Sequence, residues 1–354
     1  MQYLNKNERI VWKTIKSLEV LIQLKYDWEE LAQKKKDSLF VSPKWLIPWI
    51  QTYWQSNWSL NVITGYLDKK LVIIIPLYVQ NSKNKLDCNK LFPLGQGEQE
   101  LSEVSSEYQD VLTSIPIKLI AEEVANQIKK INYDILNWRA LLHSADWIKV
   151  TSYLKSSTTE LIGQRYNIKS HNNIRPKLSK NNRQKWNKCL KLLDSTNAKF
   201  YWVKKNEYDY YWEILKTLHQ ERWKKKSQLG AFHSSSFNNF HRLYRNNDDI
   251  LMSALFVNNQ VIAVNYYLKN QDTMYFYQCG WHSEYTHFSP GFALHQWSIN
   301  QSKTINYDFM MADLKSTYKS KFGCNEINGM YNSQHIKNQI KFLASKIFNK
   351  IYLG

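Results

Sequence analysis

The sequence predicts an α/β protein of the α+β type, built as two domains in tandem. Three observations predict it. At 354 residues the chain is long enough for two domains that each bury a core. The apolar pattern switches repeatedly between the two-residue step of strands and the three-to-four-residue step of helices. The order of elements in the first half (strand, two helices, strand hairpin, loop with a short strand, helix, strand) nearly recurs in the second. We place the division at residues 1–170 and 171–354.

In the first half, residues 8–15 alternate as a strand. Residues 18–34 put Leu21, Leu24, Trp28 and Leu31 at helical spacing. Ser42-Pro43 is a helix start, and Trp45, Leu46, Trp49, Ile50 and Tyr53 follow on one face, as core. Residues 60–66 and 70–78 form a hairpin around Asp68-Lys69. Residues 91–112 are acidic within a basic protein: Gly95-Gln96-Gly97 precedes Glu98, Glu100, Glu103, Glu107 and Asp110. Such surroundings do not suit an anion. Helix over 118–130, strand over 133–138 and helix over 145–154 complete this half.

Between the halves lies the most basic segment, with Arg175, Lys177, Lys180, Arg183, Lys185, Lys188 and Lys191 and no acid among them. Ser179 caps a helix carrying Trp186, Cys189, Leu190 and Leu193 at i, i+3, i+4 and i+7. Two readings stand. Either the apolar stripe packs on the domain and the charged face is solvated, or the helix touches a membrane surface, RNA or another polyanion.

The second half continues with a strand over 198–203 and helices over 208–226 and 237–244. Residues 250–323 then read strand, Asn258-Asn259 turn, strand, turn at Asn270-Gln271-Asp272, strand, capped helix, strand. Ser289 and Pro290 start the helix at its N-cap and first position. A helix start placed straight after a strand aims free N–H groups and a positive dipole end at one spot. That spot suits a phosphate. Gly291 lets a diphosphate approach the backbone without meeting a side chain.

Charge and composition set bounds. Against 30 acidic side chains stand 48 basic ones, a net charge of +18, which favours anionic partners such as nucleotides, RNA or acidic membrane surfaces. The longest apolar run, residues 71–79, is broken by Pro76 and far too short to cross a bilayer. The first residues lack the apolar core of a secretory signal. Cys88, Cys189, Cys279 and Cys324 show no paired spacing. The expectation is a reduced, cytoplasmic protein without structural metal.

Several segments carry a resemblance: Tyr277-Gln278-Cys279-Gly280, Ser289-Pro290-Gly291, Leu294-His295, Tyr307-Asp308-Phe309 and Thr317-Tyr318-Lys319, with Phe322-Gly323 behind them. Together they resemble the C-terminal domain of the CelD/BcsL-type acyltransferases, part of the GNAT superfamily of acyl-CoA N-acyltransferases and relatives of the Fem-type peptidyltransferases. His219, Arg222-Trp223 and Gly230-Ala231-Phe232 are similar to the family's His, Arg-Trp, Gly-x-Phe pattern, and Ser106, Glu107, Tyr108 and Asp110 to its N-terminal motif. Phe288 departs from it, standing where superfamily members often carry Gln or Arg. So does the absence of a glycine ahead of Asp313.

The resemblance implies two GNAT-like domains, each a mixed, mostly antiparallel sheet flanked by helices. It also implies that the strand before the helix splays from the strand after it, with acetyl-CoA or another acyl-CoA in the opening. Gln278, Ser289, Gly291, Phe292, Ala293, His295 and Lys319 would then bind the cofactor. Asp308, His219 and Tyr277 are the catalytic candidates, and Arg222, Trp223, Glu107 and Asp110 the acceptor-binding ones. An acid flanked by aromatics inside a strand, as Asp308 is, costs free energy unless partnered, which makes it a candidate base or a structural acid. The implied activity is direct acyl transfer to an amine, with an amino-sugar of surface polysaccharide as acceptor. The alternatives are a Fem-like transferase using aminoacyl-tRNA, with the basic helix on RNA, and a GNAT-like binding protein without catalysis.

Overall fold

A computed structural model describes residues 9–169, 178–315 and 318–352. Arg175, Lys177 and Thr317, named above, lie outside them.

In chain order the first elements are β1 (Val11–Ile15), α1 (Leu18–Gln23), α2 (Lys25–Gln33), α3 (Pro43–Tyr53), β2 (Trp58–Leu60), β3 (Val62–Leu67), β4 (Lys70–Ile75), β5 (Leu77–Gln80), β6 (Lys90–Pro93), β7 (Leu112–Thr113), α4 (Ala121–Lys129), β8 (Ile135–Leu142), α5 (Asp146–Thr151) and β9 (Ser157–Lys169). There follow α6 (Lys180–Asp194), β10 (Lys199–Trp202), α7 (Tyr208–Lys224), α8 (Ser235–Tyr244), β11 (Ile250–Val257), β12 (Gln260–Asn270), β13 (Thr273–Trp281), α9 (Pro290–Gln301), β14 (Asn306–Asp313), β15 (Glu326–Ile336) and α10 (Gln339–Tyr352).

The chain divides into two compact units. The first comprises residues 1–99, 103–162 and 330–354; the second, residues 100–102 and 163–329. The expected second domain, 171–354, thus loses 330–354 to the first unit. Strand pairing assigns it there, because β15 from Met330 onward lies antiparallel to β8, Met330 opposite Leu142 and Ile336 opposite Ile135. Asn328-Gly329 is a turn dipeptide, yet the chain runs through it as one strand, so the local sequence does not announce this partner. Both units are mixed α/β, mostly antiparallel sheets flanked by helices.

In the first unit, Pro76 ends one strand and releases the next. Proline cannot donate to a ladder, so β4 stays with β3 and β7 while β5 pairs with β2 and β6. The expected hairpin arm over 70–78 is thus two strands in two ladders. Trp138 and Trp147 stack close at 4.4 Å in this unit's core.

The second unit is the ladder β10-β11-β12-β13-β14 followed by residues 163–169 of β9. Asn258 and Asn259 both adopt positive φ in the two-residue loop between β11 and β12, where Val257 faces Gln260. That is the hairpin geometry their side chains favour. Helices cover both faces. Helix α7 lies on β13 so closely that a Cβ on Gly280 would sit 2.8 Å from the backbone of His219 and Leu215. Helix α9 lies on the other face, with Ser298 within 2.8 Å of the Tyr267 hydroxyl, and is buried nearly all round. Its Phe292, Ala293, Leu294 and Ile299 join Phe309 and Phe322 in one apolar core. Each leucine, isoleucine or phenylalanine among them contributes about 1.5–3 kcal/mol on burial.

Candidate active site

Strands β13 and β14 run parallel for three pairs only, Thr273 with Asn306, Met274 with Tyr307 and Tyr275 with Asp308. Beyond Tyr275 they part, and β13 keeps only β12 as partner. One edge of β13 therefore stands open from Phe276 onward. At that opening lies a cavity of about 660 Å³ lined by Lys185, Arg222, Lys225, Lys226, Phe276, Cys279, Trp281, Ser283, Thr286, Ser289, Pro290, Gly291, Phe292 and Tyr318. Four of these are cations and none is an acid.

The N-terminus of α9 points into this wall. Proline at the first position has no N–H, Ser289 N–H donates to Thr286 and Ala293 N–H to Ser289. The N–H groups of Gly291 and Phe292 remain without an intrahelical acceptor. A Cβ on Gly291 would stand 3.3 Å from Trp281 and 3.7 Å from the Tyr318 hydroxyl, so glycine keeps this patch of cavity clear. Ser289 does not cap the helix as expected. It adopts the left-handed region (φ 49°), its side chain makes no cap bond, and Cys189 of α6 bonds its hydroxyl.

Arg222 reaches the wall from the last turn of α7. Its Nη1 donates to Cys279 Sγ at 3.5 Å, and its Nε is buried with no protein acceptor among the described residues. Lys185 of α6 lies 4.9 Å above the Phe292 ring. The basic helix follows the first of its two readings in its apolar half, since Trp186, Cys189 and Leu193 are buried and Ser179 caps it. Its charged half is not all solvated, because Lys185 joins the cavity. A cradle of two free N–H groups, an orphan guanidinium donor and three lysines fits a diphosphate.

The expected catalytic residues are elsewhere. Asp308 is fully buried; Arg165 Nε donates to its Oδ2 at 2.6 Å and the Met310 N–H to its Oδ1 at 2.7 Å. It is the structural acid, not a base, and the guanidinium across the ladder on β9 is its partner. His219 is 2 % exposed, and burial, reinforced by Arg222, pushes its pKa down to about 3. Trp223 Nε1 donates to its Nε2 at 2.9 Å. A neutral imidazole with its lone pair occupied is no proton acceptor, and Trp223 is its anchor rather than an acceptor-binding group. Tyr277 is displaced by a bulge: Tyr266 faces Gln278 but Tyr267 faces Phe276. The extra residue is Tyr277, which turns toward His241 (5.0 Å) and Phe237. By resetting the alternation, the bulge gives the cavity Phe276, Cys279 and Trp281 and withholds both Tyr277 and Gln278.

Of the expected cofactor residues, Ser289, Gly291 and Phe292 line the cavity. Ala293 is in the core, with its N–H spent inside the helix. His295 is buried too, Nδ1 paired with the Tyr307 hydroxyl at 2.6 Å, and burial followed by Lys319 pushes its pKa down to about 3. Lys319 turns its ammonium onto the carbonyls of Phe309, Met310 and Met311, which a bulge in β14 leaves in need of a donor. Phe288 is core.

Arg222, expected at the acceptor, stands on the cation-lined cavity instead. Asp110 accepts from the N–H groups of Val111, Asp146 and Trp147, each at 2.8 Å, and from Lys35 at 2.7 Å. It caps α5 and holds the first unit together, so it has no lone pair for an amine. Glu107 is 7 % exposed in the same unit, too enclosed for that task. The cavity residues that sequence reasoning missed are Lys185, Lys225, Lys226, Phe276, Cys279 and Trp281, whereas Tyr318, a candidate donor to phosphate or oxyanion, does line the wall. Their one sequence signal is the acid-free clustering of cations at 185 and 222–226.

Residues 177–320 match the family model described as acetyltransferase (GNAT) domain. Over those residues the fold is that of a GNAT-type acyltransferase domain. Solved structures agree over nearly the whole chain. The crystal structure of FemX is similar with a TM-score of 0.63 at 9 % identity, covering 97 % of this chain and 100 % of that one. The C-terminal domain of a putative lysylphosphatidylglycerol synthetase from Agrobacterium fabrum gives 0.54 at 6 %, covering 93 % and 96 %. A conserved protein of unknown function from Bacteroides thetaiotaomicron gives 0.51 at 14 %, covering 92 % and 100 %. No curated protein matches the chain. No helix among the described residues is long and apolar enough to cross a membrane, and no group of residues among them could hold a metal ion.

Proposed function

We propose that this GNAT-type unit transfers an acyl group, acetyl in the simplest case, from an acyl-CoA directly to an amine. The single observation that carries the reading is the acid-free cavity at the start of α9, where Gly291 and Phe292 N–H groups, Arg222 and three lysines converge beside the parted strands. The diphosphate of coenzyme A suits that cradle. The open edge of β13 offers backbone groups to the acyl arm.

Within the wall, Tyr318 is the proton donor of this proposal. Burial, then the neighbouring Cys279, raises its pKa, so its hydroxyl stays protonated and can supply the departing thiolate. No carboxylate or imidazole lines the cavity, so the attacking amine enters as its free base. Bond formation between the amine nitrogen and the acyl carbon breaks the carbon–sulfur bond without a covalent enzyme intermediate; the thiolate takes the Tyr318 proton, and the surplus proton on the nitrogen passes through solvent to the Tyr318 phenolate. The CelD/BcsL-type resemblance supports an amino-sugar acceptor from surface polysaccharide.

A second reading keeps the fold and changes the donor to an aminoacyl-tRNA. The full-length likeness to FemX and a cation-lined cavity that would also take an RNA phosphate favour it. Thermal-shift titration decides between them, because a ligand of the native state raises apparent stability. Stabilisation by acetyl-CoA and free CoA supports the first reading, stabilisation by bulk tRNA alone supports the second, and stabilisation by none overturns both.

A further inference from the structure

Helix α10 leaves a stripe of its apolar surface outside. One of its sides is tied to the first unit by polar contacts one turn apart, Lys341 Nζ to Asp134 Oδ2 at 2.7 Å and Ser345 Oγ to Asp87 Oδ1 at 2.6 Å. The opposite side carries Ile340, Leu343 and Ile347, which are 83 %, 58 % and 62 % exposed. At about 100° per residue the centre of this stripe lies roughly 150° from the Lys341–Ser345 side. An ordinary surface helix buries such a stripe, as α6 does with Trp186, Cys189 and Leu193.

The charges around the stripe narrow what covers it. Residues 339–352 contain Lys341, Lys346 and Lys350 and no acid, and Lys346 and Lys350 flank the exposed side. A second copy fits poorly, because a two-fold contact would set these lysines against their own copies. A stable protein interface also needs about 800 Å² from each partner, more than three aliphatic side chains supply. We propose that α10 docks on an anionic membrane surface, Ile340, Leu343 and Ile347 entering the headgroup boundary while Lys346 and Lys350 meet the lipid phosphates. The helix lies on the bilayer and does not span it.

Flotation of the full chain with lipid vesicles tests this. The chain floats with phosphatidylcholine vesicles containing phosphatidylglycerol, not with phosphatidylcholine alone, and added salt weakens the binding. The triple variant I340S/L343S/I347S lowers the bound fraction about tenfold or more, and K346E/K350E does likewise. These side chains are at the surface, so circular dichroism and the thermal midpoint stay unchanged, and the single variant Ile347→Asp serves as a check if the triple variant misfolds. Failure to float with anionic vesicles, equal binding to both vesicle types, or binding untouched by the stripe variants overturns the proposal. So does sedimentation showing a dimer that the stripe variants dissociate.

Discussion

Arg165 and Asp308 form an ion pair sealed inside the second unit, their residues 4 % and 0 % exposed and the Nε–Oδ2 distance 2.6 Å. The pair joins β9 to β14 where a bulge breaks their register. Removing one charge strands the other away from water. Asp308→Ala should therefore cost about 3–5 kcal/mol of stability, read by chemical denaturation, with turnover per folded molecule nearly unchanged. A drop in turnover of a hundredfold without loss of stability would return Asp308 to the role of base.

The cavity cations should act on donor binding. Arg222→Ala and Lys185→Ala each remove a charge-assisted hydrogen bond worth about 1.5–3 kcal/mol, so KM for acyl-CoA rises tenfold or more. Calorimetric titration with free CoA should show the same loss, steeper in low salt than in high.

Gly291 keeps the mouth of the cradle clear. Gly291→Val has no backbone conflict, since Gly291 is not among the positive-φ residues, but its side chain occupies the space beside Trp281 and Tyr318. The expected result is an unchanged thermal midpoint without ligand and no midpoint shift on adding CoA.

Tyr318→Phe removes the proposed donor to the leaving thiolate and should lower kcat about a hundredfold with little change in KM. The rate of the parent protein should rise tenfold per pH unit up to the pKa of the acceptor amine and then level off. Acceptors of different amine pKa should shift that break; a break that stays fixed would reveal a base in the protein.

His219 and His295 contribute to the acid limit of stability, alongside His241, whose pKa burial also pushes down. The first two have folded pKa values pushed down to about 3 by burial, against about 6.5 in the unfolded chain. The unfolded chain thus binds more protons between those values. Stability contributed by each neutral ring is complete above about pH 6.5 and falls with decreasing pH by up to about 1.4 kcal/mol per unit. Denaturation midpoints measured from pH 7 to pH 4 should show this slope, and His219→Gln should flatten it.

Much was legible locally. Ser179, Pro290 and Asn258-Asn259 each act through their own dihedral limits or hydrogen-bonding groups, and helix and turn occur at those positions. The placing of a phosphate-sized cradle at Gly291 follows from the same kind of rule, because free N–H groups and a missing side chain belong to the residues themselves.

What a side chain faces was decided only by pairing across the chain. A one-residue bulge at Tyr277 exchanged the faces of β13 and brought Cys279 rather than Gln278 to the wall. Asp308 found Arg165 through the β14–β9 ladder, 143 positions away in sequence. Lys185 reached the cavity because α6 packs on α9, and residues 330–336 joined the first unit through β8. Short-range propensity fixes where an element begins and ends; register and long-range contact fix which atoms meet, and neither is written in any window of neighbouring residues.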